Sequence, residues 1–144
     1  MGKGKAGDDF PRGDWVLEEM LKVAMEDEKT DREKYRRLAK MADRERDAKK
    51  LFGIADDEAN HLKALQFLYC TLFGKRAPRV EAQPVKIGNF TEGIRKSIVS
   101  EYEGTAFYRE ILNRLCCEEF KSIIRRIMAD EQRHAQILES ILEK

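Results

Sequence analysis

The chain contains only two histidines, and each follows a glutamate by three residues. The pairs are Glu58 with His61 and Glu131 with His134. Residues three apart share one face of an α-helix, so each pair can direct a carboxylate and an imidazole toward one point. Both groups are ligands for divalent transition metals. A single Glu-x-x-His on a charged helix is usually surface decoration, whereas two copies at matched positions predict metal binding.

The two pairs belong to a longer internal repeat. A glutamate, a tyrosine, a glutamate and a histidine recur in the same order after a constant offset of 73 residues: Glu28, Tyr35, Glu58 and His61, then Glu101, Tyr108, Glu131 and His134. Four matched positions with one offset indicate two helical hairpins related by a pseudo-twofold axis. Two of the predicted helices would each supply one glutamate, and the other two would each supply a Glu-x-x-His pair. This combination is the ligand set of a carboxylate-bridged dinuclear site.

The charges of this set also predict metal. A buried carboxylate is destabilising unless it is paired, and four carboxylates together repel one another. Two divalent cations would balance four glutamates while both histidines remain neutral. Mixed oxygen and imidazole ligands suit iron or manganese, and zinc accepts the same ligands. We therefore expect two iron ions, for which manganese or zinc can substitute.

Four amphipathic stretches are predicted to position these residues. Their apolar residues alternate by three and four, the period of helices that pack nearly parallel in a bundle. Each ligand glutamate falls near the middle of one stretch, on its apolar stripe. The predicted domain spans residues 14–144, after a Gly/Lys/Asp-rich segment at 1–13 that is expected to be a flexible tail. The charged run at 43–47 is predicted to be a turn between the first two helices.

The connection between the second and third helices predicts the topology. Residues 73–88 contain two prolines and two glycines and show no helical period. A segment of about 16 residues can extend about 50 Å, against about 42 Å for the second helix. Asn89, with Glu92 three residues later, forms a capping-box pattern at the start of helix three. We therefore predict an all-α four-helix bundle with one long crossover between helices two and three.

Four further residues of the repeat have two interpretations each. Tyr35 and Tyr108 are either ordinary core tyrosines or donors to a ligand carboxylate across the bundle. Asp57 and Asp130 each precede a ligand glutamate. They are either solvated or accept the ring N–H of the histidine from the other hairpin.

The overall composition narrows the class of protein. With 28 basic and 27 acidic residues the net charge is +1, which argues against binding to nucleic acid or to an anionic membrane. No apolar run reaches the roughly 18 residues that span a bilayer, and the N-terminus lacks the apolar region of a signal peptide. We therefore expect a cytoplasmic protein. Cys70, Cys116 and Cys117 form no C-x-x-C pair and are expected to be reduced, partly buried thiols at helix ends.

The repeated motifs resemble the rubrerythrin-like branch of the ferritin-like superfamily. The resemblance covers about residues 15–143 and lies in Glu28-x6-Tyr35, Asp57-Glu58-Ala59-Asn60-His61, Glu101-x6-Tyr108 and Asp130-Glu131-Gln132-Arg133-His134. It implies a ferritin-like bundle with a non-haem diiron centre that reacts with hydrogen peroxide or dioxygen, in a homodimer. It also implies six metal ligands, with Glu58 and Glu131 as the bridges: Glu28, Glu58, His61, Glu101, Glu131 and His134.

Two departures from the family pattern have consequences. The sequence has no C-x-x-C pairs of a rubredoxin-type domain, so electrons are expected from an external donor such as a rubredoxin. The extra carboxylate that rubrerythrins carry three residues after the third-helix ligand is Gly104 here, and its repeat counterpart is Asp31. One hypothesis is that Asp31 supplies a carboxylate at the edge of the site while Gly104 leaves room for a small oxidant. The alternative is that Asp31 pairs with a lysine or arginine at the bundle surface.

Three functions are compatible with these patterns. The first is an oxidoreductase that reduces peroxide or dioxygen, with a role in oxidative stress. The second is an iron-binding protein with ferroxidase activity and no dedicated peroxidase turnover. The third is a helical scaffold with a structural metal, which is disfavoured because an apolar core would be the simpler way to stabilise a bundle.

Overall fold

The computed structural model describes residues 14–143, and this range contains four α-helices and no β-strand. The helices are α1 (Asp14–Met41), α2 (Glu45–Phe73), α3 (Phe90–Arg114) and α4 (Glu118–Leu142). The predicted all-α class is confirmed, whereas the predicted tail at 1–13 lies outside the described residues. Across the described range, no helix combines the length and the hydropathy needed to cross a bilayer.

Local sequence signals determine the two ends of the long connection. Gly74 follows α2 with φ at 67°, and its N–H donates to the carbonyl of Cys70 at 2.9 Å. Glycine adopts this left-handed conformation without steric cost, so it ends the helix. At the other end, Asn89 Oδ1 accepts the backbone N–H of Glu92 at 2.9 Å. The predicted cap of α3 is therefore present.

The predicted turn at 43–47 was wrong in its second half. Helix α2 already begins at Glu45, and Asp47 is buried in its first turn. Acidic side chains are favourable at a helix N-terminus because they complement the partial positive charge of the unpaired N–H groups. The charged run is therefore as much a helix start as a turn, and only residues 42–44 separate α1 from α2.

Two core clusters of buried apolar residues lie at opposite ends of the bundle. The first cluster joins the start of α1, the end of α2, the end of α3 and the start of α4, through residues such as Leu21, Leu65, Ile111 and Ile124. The second cluster joins the opposite ends of the same helices, through residues such as Leu38, Leu51, Ile94 and Leu138. Each hairpin is therefore antiparallel, and α3 runs opposite to α1.

The connection between α2 and α3 runs along α1 from one core cluster to the other. Near its start Val80 packs on the first core cluster, and near its end Ile87 packs on the second. Between these points Lys29 Nζ donates to the carbonyl of Val80 at 2.8 Å, and an Arg37 guanidinium N–H donates to that of Val85 at 2.6 Å. The predicted long crossover is therefore confirmed.

The three cysteines are free thiols near helix ends. Cys70 lies in the last turn of α2, and Cys116 and Cys117 lie in the link between α3 and α4. The expectation of partial burial holds for Cys117 and was wrong for Cys70 and Cys116, which are exposed. Neither of these two side chains belongs to a core cluster.

Two helical glycines offer a matched test of the packing. A Cβ at Gly93 would lie 2.8 Å from Leu38 Cδ2 and 3.1 Å from Ile87 Cγ2, whereas a Cβ at Gly53 would meet nothing within 4 Å. We expect Gly93→Ala to lower the free energy of unfolding by about 1–2 kcal/mol through overpacking. Gly53→Ala should raise it by about 0.5–1 kcal/mol, because alanine loses less backbone entropy in a helix. Urea denaturation measures both, and equal effects would contradict this packing.

Candidate metal centre

The four glutamates and two histidines of the repeat converge between the two core clusters. Their exposed fractions lie between 0% and 4%, so all six are removed from solvent. Each glutamate reaches this position because it occupies a core position on the apolar stripe of its helix, one per helix. The set is Glu28 on α1, Glu58 and His61 on α2, Glu101 on α3, and Glu131 and His134 on α4.

These six residues form two overlapping groups. In each group the ligand atoms lie within 4.8 Å of one another: Glu28, Glu58, His61 and Glu131 in the first, and Glu58, Glu101, Glu131 and His134 in the second. Glu58 and Glu131 belong to both groups and come from different hairpins. The geometry is therefore that of two adjacent cation sites with two shared carboxylates.

Most of the polar atoms that face this point have no hydrogen-bond partner. In the described residues, seven of the eight buried side-chain N and O atoms without a partner belong to the six converging residues, and the eighth is Ser97 Oγ. Burying one such atom costs about 1–3 kcal/mol, so native proteins contain few of them. Their concentration at one point fits a pair of bound cations, which would satisfy all seven.

Each histidine links the two hairpins through an aspartate. His61 Nε2 lies 2.8 Å from Asp130 Oδ2, and His134 Nε2 lies 2.8 Å from Asp57 Oδ2. A carboxylate accepts the Nε2–H, which leaves the Nδ1 lone pair directed inward. Nδ1 of His61 accordingly lies 3.1 Å from Glu58 Oε1. Of the two interpretations of the aspartates, the structure shows the one in which each contacts the histidine of the other hairpin.

The two tyrosines make equivalent contacts across the bundle. Tyr35 Oη donates to Glu101 Oε2 and Tyr108 Oη donates to Glu28 Oε2, both at 2.5 Å. Burial, followed by the charge of the accepting carboxylate, raises the pKa of both phenols well above 10. The tyrosines therefore remain donors. Each holds one oxygen of its glutamate and leaves the other, Oε1, without a partner.

Burial and mutual repulsion dominate the electrostatics of the metal-free site. Burial, and then the charges of Glu28 and Glu131, raise the pKa of Glu58 well above its usual value. Burial, and then the charge of Glu101, raise the pKa of Glu131 to about 12. Without metal these carboxyls hold their protons to higher pH than free carboxyls do, and bound cations would replace those protons.

One arginine, which the sequence reasoning missed, joins both histidine-bound aspartates. The Arg133 guanidinium donates to Asp57 Oδ2 at 3.0 Å and to Asp130 Oδ1 at 2.9 Å. Burial alone would raise the pKa of Asp130, but hydrogen bonds from His61 and Arg133 lower it. The signal was a break in the repeat, since the counterpart of Arg133 is Asn60.

A cavity of about 330 Å³ between α1 and α3 reaches the site. Asp31 and Gly104 both line it, and a Cβ at Gly104 would lie 2.6 Å from Glu131 Oε1. Asp31 Oδ1 also lies 3.6 Å from Lys34 Nζ. Burial is the main cause that raises the pKa of Asp31 to about 7; Lys34 opposes this rise and Glu28 adds to it. Both interpretations of Asp31 therefore describe part of its surroundings, a lysine partner and the edge of the site.

Replacing a shared carboxylate tests the ligand assignment. Glu58→Gln keeps the shape of the side chain but removes its charge from both groups, so we expect the variant to lose at least one of two bound metal ions. Glu110→Gln, on the exposed face of α3, is the matched control and should keep both. Metal analysis after gel filtration measures the stoichiometry, and equal content in the two variants would contradict the assignment.

The metal-free protein is expected to lose stability as pH rises from about 5 to about 8. The pKa values of Glu58, Glu131 and Asp31 are raised on folding, so the folded state holds protons that the unfolded state has already released. Burial alone would lower the pKa of His61, but the neighbouring carboxylates of Glu28 and Asp130 outweigh it and raise that pKa. In this window each retained proton lowers the unfolding free energy by about 1.4 kcal/mol per pH unit.

Urea denaturation at each pH measures this dependence. Loading with a divalent cation should flatten or reverse the slope, because the cations take the place of the protons. A metal-free protein whose stability rises between about pH 5 and about pH 8 would contradict the buried cluster of carboxyls.

Comparison with known proteins agrees with this geometry. A family model described as Rubrerythrin matches residues 19–93 and 92–144. The uncharacterized protein YhjR of Bacillus subtilis (strain 168) is 30% identical over 124 residues, which are 86% of this chain and 85% of that relative. A solved structure, Hypothetical Protein Pfu-1136390-001 from Pyrococcus furiosus, matches with a TM-score of 0.78 and 28% identity, over 90% of this chain and 89% of that one.

The two matched segments divide the chain near the start of α3. Each segment therefore contains one hairpin and one half of the repeat, with two inward-facing glutamates and one histidine. Because the family model covers both halves of the bundle and all six converging residues, the chain belongs to the rubrerythrin family.

Proposed function

We propose that this protein is an oxidoreductase that reduces hydrogen peroxide or dioxygen at a dinuclear iron site. The observation that carries the proposal is the set of seven unpartnered buried atoms, which lie on six residues arranged as two overlapping ligand groups. Membership of the rubrerythrin family supports the same reaction class. Four buried glutamates would be a costly way to stabilise a scaffold, which argues against a purely structural metal.

In this proposal each ion has its own glutamate and histidine. Glu28 and His61 would hold one ion, Glu101 and His134 would hold the other, and Glu58 and Glu131 would be shared between them. Iron is the metal we propose, with manganese or zinc as substitutes, since the oxygen and imidazole ligands suit all three. When bound in the ferrous state, iron supplies the two electrons that reduce the oxidant.

The surrounding residues hold the ligands in position. Asp57 and Asp130 orient the histidines through Nε2, which keeps Nδ1 available as a ligand. Tyr35 and Tyr108 each fix one oxygen of a terminal glutamate. These contacts cross between hairpins, so the geometry of the site depends on the packing of the whole bundle.

The cavity beside Gly104 is proposed to admit the oxidant. The absence of a side chain at Gly104 leaves space next to Glu131 Oε1. Reduction of hydrogen peroxide to two waters consumes two protons as well as two electrons. The Asp31 carboxyl lies on the cavity wall, where it can hold one of these protons next to the incoming oxidant.

We further propose an external electron donor protein such as a rubredoxin, a homodimeric assembly and a cytoplasmic location. The second candidate function is iron binding and ferroxidase activity without dedicated peroxidase turnover. The acidic side chains that line the cavity favour this candidate, because carboxylates suit the passage of iron ions.

A turnover assay tests the proposal and separates the two functions. Iron-loaded protein, given hydrogen peroxide and an artificial electron donor, is expected to consume many equivalents of peroxide per chain. Glu131→Gln should lower the rate at least about 100-fold, since it removes a bridging charge, whereas Glu110→Gln should leave it unchanged. A single round of iron oxidation, followed by retention of the oxidised iron and no further peroxide consumption, would favour iron handling and contradict peroxidase activity.

A further inference from the structure

The cavity between α1 and α3 has a strongly acidic lining. Three of its lining residues, Asp27, Asp31 and Glu103, are carboxylates outside the six ligand positions, and none of the lining residues is basic. Lys34 contacts Asp31 at 3.6 Å but does not line the cavity. A cleft lined by carboxylates, with no basic residue among them, concentrates cations at its mouth.

The same cavity extends to buried carboxylates that lack partners. Glu28 and Glu131 line it, with exposed fractions of only 2% and 3%. Each retains an oxygen without a hydrogen bond, Oε1 in Glu28 and Oε2 in Glu131. A cation in this cavity would therefore find exposed carboxylates at the mouth and unpartnered carboxylates at the inner end.

The opposite face of the bundle is electrostatically different. There a cavity of about 350 Å³ between α2 and α4 reaches His61, with Arg126, Asp57 and Asp130 among its lining residues. Arg133 pairs with both aspartates, at 3.0 and 2.9 Å. A cation that approached from this side would meet the Arg126 guanidinium in the cavity lining and two aspartates that are already paired with Arg133.

We propose that the cavity between α1 and α3 is the route by which divalent cations reach the dinuclear site, with Asp27, Asp31 and Glu103 as transient ligands at its mouth. The route presupposes the metal centre of the proposed function but not its redox reaction. Gly104 keeps the inner end open, because a Cβ there would lie 2.6 Å from Glu131 Oε1. The carboxylate oxygens suit the hydrated ferrous or manganous ion better than they suit soft metals.

The rate of metal loading tests the charge of the route. Metal-free protein is mixed with Co²⁺ in a stopped-flow instrument, and cobalt absorption follows occupancy. The test variant is Asp31→Asn with Glu103→Gln. Asp27 is left intact because it adjoins Glu28. The matched control is Glu33→Gln with Glu110→Gln, which removes the same charge from exposed positions on the same two helices that do not line the cavity.

We expect the test variant to load about tenfold more slowly than the wild type at low ionic strength, and the control to change by less than about twofold. Added salt should slow the wild type and have little effect on the test variant, because it screens the attraction that the variant lacks. Both variants should still bind two Co²⁺ per chain at equilibrium. Equal loading rates in the two variants would refute the route.

A steric variant provides a second readout. Ser100 also lines the cavity and is exposed, so Ser100→Trp should narrow the mouth and slow loading without changing the final stoichiometry. If the charge variant bound fewer than two ions, Asp31 and Glu103 would be permanent ligands, which would contradict a transient role. Wild-type protein that bound two Co²⁺ but, loaded with iron, failed to reduce peroxide would refute the proposed function and leave the route standing. No Co²⁺ binding at all would refute both.

Discussion

The burial of four carboxylates at one point is the constraint on which the rest of this structure depends. Each glutamate sits on the apolar stripe of a different helix, between two apolar clusters that hold the ends of the bundle. Without cations the group is stable only if some carboxyls keep their protons, as the raised pKa values of Glu58 and Glu131 indicate. The apolar clusters must therefore supply the folding free energy that the centre does not, and the metal-free centre is ready to exchange protons for cations.

The hydrogen bonds around this centre run between the halves of the repeat. Tyr35 reaches Glu101 and Tyr108 reaches Glu28, while each histidine contacts the aspartate of the other hairpin. Neither hairpin could form its own half of the site, because the side chains that orient the ligands of one hairpin lie on the other hairpin. This exchange explains why a duplicated motif yields one cluster of six candidate ligands instead of two separate groups.

Two of the differences between the halves of the repeat separate the faces of the bundle. On one face Arg133, whose counterpart is Asn60, joins the two histidine-bound aspartates. On the other face Gly104, whose counterpart is Asp31, leaves an acidic cavity that reaches Glu28 and Glu131. A symmetric ligand set is thus placed in an asymmetric environment, with aspartates paired to an arginine on one side and an acidic cavity on the other.

Periodicity within each segment predicted the helices, and the recurrence of the glutamates and histidines at one offset predicted which six side chains converge. The long crossover followed from chain reach, and the boundary near 43–47 failed because a charged run serves equally as a turn and as a helix start. Only the tertiary structure decided between the alternatives for the tyrosines and aspartates. It also showed the contacts of Arg133 and the cavity beside Asp31. Those features depend on the rotation and separation of helices distant in sequence, which side-chain packing sets and residue spacing does not encode.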